Sequence, residues 1–281
     1  MFPRPRLFVF FAILATGVQA QWLNYAPAST PRTRDGKPNL TAPAPRTSDG
    51  KPDLTGVWMH EITPVAEVKR LFGNRFDAEI ELAPPGMEIG TQHKYAFDIL
   101  IDFKGSELPL KPETVKRLEE RRPGPASVCM GVGGFPRSGL LSEPIKIIQA
   151  PQMTVIFYEA GYQRRQIFAD GRTLPKEFDL PQYLGYSAGR WEGDTFVVET
   201  AGFNGKTTLD GMGRPVSEKM HITERFRRRD FGHLDIEMTF NDPENYTRPF
   251  SIKIPHDLIP DNDIYEMFCN ENERDRVHLK Q

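Results

Sequence analysis

Cysteine is scarce in this chain: Cys129 and Cys269 are the two among 281 residues. Neither sits in a Cys-x-x-Cys pair, which excludes a thioredoxin-like redox centre. A charge excess is also missing. The formal net charge is −2, so nucleic acid has no electrostatic claim on the chain as a partner. The basic run Arg225–Arg229 lies between Glu224 and Asp230 and reads as the solvated face of a strand. Beyond residue 20 no apolar run is long enough to cross a bilayer as a helix, so no membrane span is expected in the mature chain. The six histidines show no His-Glu-x-x-His or clustered metal-ligand spacing. The Gly-rich stretch 123–144 has neither Gly-x-Gly-x-x-Gly nor Gly-Lys-Ser/Thr, so neither a metal nor a cofactor is expected. Gly185-Tyr-Ser-Ala-Gly189 has the letters of a nucleophile elbow, but another strand follows where a hydrolase needs a helix.

What is present begins with an export signal. Arg4 and Arg6 precede the short apolar run Leu7–Val18, and Val18-Gln-Ala20 has the small-x-small form of a cleavage site. The mature chain is expected to start at Gln21 and to be periplasmic or secreted. In an oxidising compartment the two cysteines are expected to form one disulfide, Cys129 to Cys269. It would close a loop of about 140 residues and contribute about 4–5 kcal/mol on the chain-entropy model.

The 25 prolines and 23 glycines imply many turns. Residues 21–44 read as a flexible Pro-rich leader, and 45–281 as a single domain. An internal duplication straddles that boundary: Pro31-Arg-Thr-Arg-Asp-Gly-Lys-Pro-Asn-Leu-Thr41 returns as Pro45-Arg-Thr-Ser-Asp-Gly-Lys-Pro-Asp-Leu-Thr55. The second copy leads into Trp58, a first core anchor. Apolar spacing predicts a short helix within 64–76 and another within 111–122. From 145 onward short β-rich runs alternate with turns. They are Ile145–Gln149, Thr154–Glu159, Arg164–Phe168, the hairpin Tyr183–Thr200 turned at Gly193, Met220–Arg228, His233–Phe240, Tyr246–Ile254 and Ile264–Cys269. About nine strands with short connections predict a mainly β antiparallel meander closed into a barrel, with a β-sandwich as the alternative. A barrel of that size can enclose one small ligand.

Several segments resemble a family of exported, largely uncharacterised bacterial proteins. They are Asp49-Gly-Lys-Pro-Asp-Leu-Thr-Gly-Val-Trp58, Arg165-Gln-Ile-Phe168 with Asp170-Gly-Arg172, Gly189-Arg-Trp-Glu-Gly-Asp194, Gly202-Phe-Asn204 and Thr223-Glu-Arg-Phe226. The resemblance spans most of 45–275. It implies one calycin-like (lipocalin-like) barrel and carries no activity.

Alternation picks the inward side chains. Glu224 shares a face with Met220, Ile222 and Phe226, and Glu159 is placed with Val155 and Phe157. A carboxylate on an apolar face suits a general acid or base. It equally suits an ion pair, of Glu159 with Arg164 or Arg165 and of Glu224 with Arg190 or Arg225. Tyr158, Arg165, Tyr186, Arg190 and Asn204 are candidate ligand contacts in an otherwise apolar pocket. The expected function is binding of a small, partly apolar organic molecule. The alternative is a cofactor-independent hydrolase, lyase or isomerase using Glu224 or Glu159.

Overall fold

The computed structural model describes residues 29–73, 93–120, 134–141 and 143–265. The expected signal at 1–20, Cys129 and Cys269 lie outside these residues. Nine strands close into a barrel: β1 Gly56–His60, β2 Ile145–Ala150, β3 Met153–Tyr158, β4 Gln163–Phe168, β5 Tyr186–Glu192, β6 Thr195–Ala201, β7 His221–Arg228, β8 His233–Asn241 and β9 Phe250–Leu258. Each strand pairs with its sequence neighbour, and β1 pairs with β9 to close the ring. Three short helices lie in the β1–β2 connection: α1 Val65–Phe72, α2 Lys94–Phe97 and α3 Pro112–Glu120. No helix among the described residues is long and apolar enough to cross a membrane.

The strand count agrees with the sequence, but one member differs. Residues 264–265 are irregular, and the ninth strand is Gly56–His60. Trp58 stands opposite Ile145 on one side and Leu258 on the other, so this strand joins partners remote in sequence. One seam also departs from the antiparallel pattern. After β4 the chain makes an excursion over 169–185 that doubles back before β5 begins, so β5 runs parallel to β4. This seam is held by two register pairs, Ile167 with Ser187 and Phe168 with Ala188. Every other neighbouring pair of strands in the ring shares three or more.

The β5–β6 hairpin turns at Gly193, whose φ of 61° belongs to the left-handed region that a tight turn uses. Gly189, in the middle of β5, is required for space. A Cβ there would lie 2.4 Å from the Phe196 ring and 3.0 Å from Ile167. Gly189→Ala is therefore expected to lower stability by about 1–3 kcal/mol through overpacking, read as a drop in the urea midpoint. An unchanged midpoint would mean that the ring shifts freely.

The duplicated segment is folded, which corrects the flexible-leader reading for residues 29–44. Each copy makes the same small loop. Thr33 N–H and hydroxyl both donate to the Lys37 carbonyl, and Thr47 repeats this with Lys51. Arg32 donates to its own loop at the Gly36 carbonyl and reaches Asp261 beyond β9. Arg46 donates to the Gly50 carbonyl and clasps both Asp194 oxygens at the β5–β6 turn. The Leu40 and Ala42 carbonyls accept from Gly232 and Phe231, each at 2.7 Å. A polar composition thus satisfies its hydrogen bonds locally and docks through arginine on the end of the barrel that carries the short turns. The long connections gather at the opposite end. There the segment 134–141 inserts Phe135, Leu140 and Leu141 into the barrel mouth.

Candidate functional site

Among the described residues the barrel interior is filled. Trp58, Phe196, Phe226 and Phe240 are each at most 2% exposed, and Phe135 stacks on Phe203 above them. Beside Tyr158, Glu224 and His256 a cavity of about 20 Å³ remains. That admits about one water molecule, whereas sites for small organic molecules run to roughly 300–1,000 Å³. The expectation of a ligand-sized central cavity is corrected accordingly for the described residues: branched and aromatic side chains from all around the ring, with the 134–141 plug, occupy it.

Ligand-sized space lies in the wall. Where β4 and β5 diverge above their two register pairs, a cleft of about 540 Å³ opens. On β4 its lining comes from the outer face, Arg164, Gln166 and Phe168, with the strand at Arg165 between them. From β5 and the preceding excursion come Leu184, Tyr186 and Ser187. Tyr186 stacks on Phe168 at 5.2 Å between centroids, and its hydroxyl accepts from Arg172. Arg172 also lies over the Phe168 ring and is held by Asp170. A second space of about 390 Å³ lies near the N-terminal segment, but its Lys146 and Asp263 already pair at 2.7 Å.

The Arg165 side chain belongs to the core behind β4. Its Nη2 donates to Glu224 Oε2 at 2.5 Å, and both side chains are at most 2% exposed. Burial pushes the Glu224 carboxyl above its ordinary value, while the guanidinium pulls the other way. The guanidinium lies 3.9 Å from the centroid of the Phe135 ring. Its Nε and Nη1 are buried and have no hydrogen-bond acceptor among the described residues.

The sequence candidates divide. Arg165 and Tyr186 line the cleft, and Glu224 and Tyr158 lie directly behind it in the core. The Tyr158 hydroxyl is pushed up by burial. Glu159 is not where alternation put it. The inward face of β3 is Thr154, Ile156 and Tyr158, and Glu159 follows the strand, accepting from the Tyr265 amide at 2.6 Å. Burial raises its carboxyl as well. Arg190 points outward and pairs with Glu192 and Glu199, because Gly189 and Trp191 take the inward positions beside it. Asn204 is a turn residue whose side chain accepts from the Lys206 amide. Neither contributes to the cleft. The expected pairings of Glu224 also differ: Arg190 and Arg225 both engage Glu192 outside the barrel, and Arg165 is the partner inside. Ser187, the serine of the Gly-x-Ser-x-Gly match, sits on a strand with its hydroxyl on Thr200 at 2.9 Å.

Sequence reasoning missed Arg164, Phe168 and Leu184. The doublet Arg164-Arg165 carried a readable signal, since strand alternation sends consecutive side chains to opposite faces. Nothing local announced that the wall would be open beside them. Comparison with protein-family models, with curated proteins and with solved structures finds no match.

Proposed function

We propose that this chain is an exported barrel protein, of the calycin-like kind its motifs resemble, that binds a small, partly apolar organic molecule in the wall cleft between β4 and β5. One observation carries the reading: the weakest seam of a filled barrel opens a ligand-sized cleft lined by aromatic, aliphatic and cationic side chains. The enzymatic alternative needs a carboxylate free to move a proton. Glu224 is held by Arg165, and Glu159 by the Tyr265 amide.

Leu184 is partly buried against the core and lines the cleft, so a larger side chain there fills the space from its rim. Native mass spectrometry of protein purified from its own host is expected to show a small-molecule adduct that Leu184→Trp loses. No adduct in either protein, or the same adduct in both, would remove the cleft as the binding site. The same spectra test export and pairing. The mature chain is expected to begin at Gln21 and to gain two hydrogens on reduction, the signature of a Cys129–Cys269 bridge.

A further inference from the structure

The β4–β5 seam leaves a strand edge open. All six residues of β4 pair with β3, but of these Ile167 and Phe168 alone also pair with β5. Among the described residues, 163–166 therefore have a strand on one side and none on the other. No backbone hydrogen bond joins them to the segment 182–186 across the cleft. Along a strand, alternate residues turn their N–H and C=O groups to one neighbour and the rest to the other. Those of 163–166 that do not point at β3 point toward the cleft. At Arg165 the side chain is 1% exposed and turned to the core, so what this residue presents to the cleft is the strand itself. Gly185, in the opposite wall, has backbone alone to present. An open edge of this kind is a template for a further strand. Its charge is one-sided as well. Arg164, exposed on the outer face of β4, has no carboxylate partner among the described residues, and none of the cleft-lining side chains is acidic. Asp170, at the rim, is already taken by Arg172.

We infer that the molecule bound in the β4–β5 cleft is a short extended peptide that adds a strand to the open edge of β4. At about 3.3 Å per residue, the edge at 163–166 takes a peptide of about three or four residues. Main-chain hydrogen bonds to the edge supply affinity, and alternate side chains supply specificity. Outer-face side chains of the added strand stand beside those of β4, two residues apart. One meets Arg164 and is acidic. The next packs on Phe168, Tyr186 and Leu184 and is apolar. The residue between them points inward, where the Arg165–Glu224 pair and Phe135 fill the space, so it is glycine or alanine. This assignment names the class of molecule for the site proposed above and rests on that reading, and the test separates the two.

The probes are the capped tripeptides acetyl-Glu-Ala-Phe-amide and acetyl-Phe-Ala-Glu-amide, one for each direction in which a strand can add, titrated by calorimetry into the full mature protein. One of the two is expected to bind. Its fully N-methylated form keeps the side chains, loses the backbone donors, and is expected to bind at least about tenfold more weakly. Exchanging its Glu for Gln is expected to weaken binding about two- to fivefold. Arg164→Gln, an exposed substitution that leaves the core untouched, is expected to erase that difference. Leu184→Trp is expected to abolish all binding. If the N-methylated peptide binds as tightly as its parent and Leu184→Trp abolishes both, strand addition falls while the cleft stands as the site. If the Glu and Gln peptides bind equally, recognition of an acidic residue by Arg164 falls. If neither peptide binds, the peptide assignment falls; the cleft stands where Leu184→Trp still strips the adduct carried from the host, and falls too where there is no adduct. If peptide binding survives Leu184→Trp, the peptide assignment and the cleft fall together.

Discussion

Arg165→Met is expected to destabilise the fold by about 3–5 kcal/mol, among the largest losses any single substitution here would cause. The cause is the group left behind. Glu224 is 2% exposed, and its hydrogen-bonding side-chain partner is Arg165. Without the guanidinium, a carboxylate stays in a wall of isoleucine, methionine and phenylalanine side chains, where ionisation is expensive. Two further measurements make the assignment specific. The double variant Arg165→Met/Glu224→Leu is expected to recover most of the loss, since an apolar pair of similar volume removes both desolvated charges together. The loss in Arg165→Met is also expected to shrink in acid. Loss of the cation raises the folded-state value of Glu224 further above its unfolded value, and a group shifted in that sense adds stability as pH falls. Urea midpoints of the three proteins at neutral and acid pH decide the matter. A double variant no more stable than the single one would show that the pair contributes shape rather than charge balance.

Between pH 7 and pH 5 the protein is expected to lose several kcal/mol of stability. Three buried histidines face one another at the mouth of the barrel: His60 on β1, His256 beside it on β9, and His93 at the start of α2. Their rings lie 5.8 and 6.5 Å from that of His60. Burial holds His93 and His256 down at about 3 and lowers His60 as well, and His93 and His256 also feel the repulsion of their histidine neighbours. Their folded-state values are depressed, so the unfolded chain binds more protons in acid. The stability is complete above the unfolded value of 6.5 and is lost progressively as pH falls toward about 3. For His93 and His256 this amounts to about 2 kcal/mol each between pH 7 and pH 5. Asp210, Glu224 and Glu159 act in the opposite sense, since burial raises all three, and they offset part of this loss. His60 Nε2 meets the Leu141 carbonyl at 2.5 Å, which ties this cluster to the plug segment. The measurement is urea unfolding across that window, with His256→Gln expected to flatten the slope by roughly a third. Stability that is constant from pH 7 to pH 5 would mean that the histidines reach water in the folded state.

Much of this was legible because it depends on neighbours in the chain. The β5–β6 hairpin follows from β-rich runs on either side of Gly193, and α3 from Pro112 at the start of an amphipathic stretch. Glu224 pointing inward follows from the clean alternation of Ile222, Glu224, Phe226 and Arg228 against exposed or half-exposed neighbours. The same method failed on β3, where Met153-Thr-Val-Ile-Phe-Tyr158 is apolar or β-branched throughout. Alternation has a period but no phase when both faces are hydrophobic, and Glu159 was placed on the wrong side as a result.

The sequence alone determined the closed β architecture and the inward position of Glu224. These depend on local propensity and on a two-residue repeat. Only the tertiary structure decided that Glu224 pairs with Arg165, 59 positions away. It alone decided that Gly56–His60 closes the ring, that β5 runs parallel to β4, and that, among the described residues, the ligand-sized space lies in the wall and not the centre. Each is a question of which distant strands meet and how their side chains share a fixed volume, and no local pattern encodes that answer.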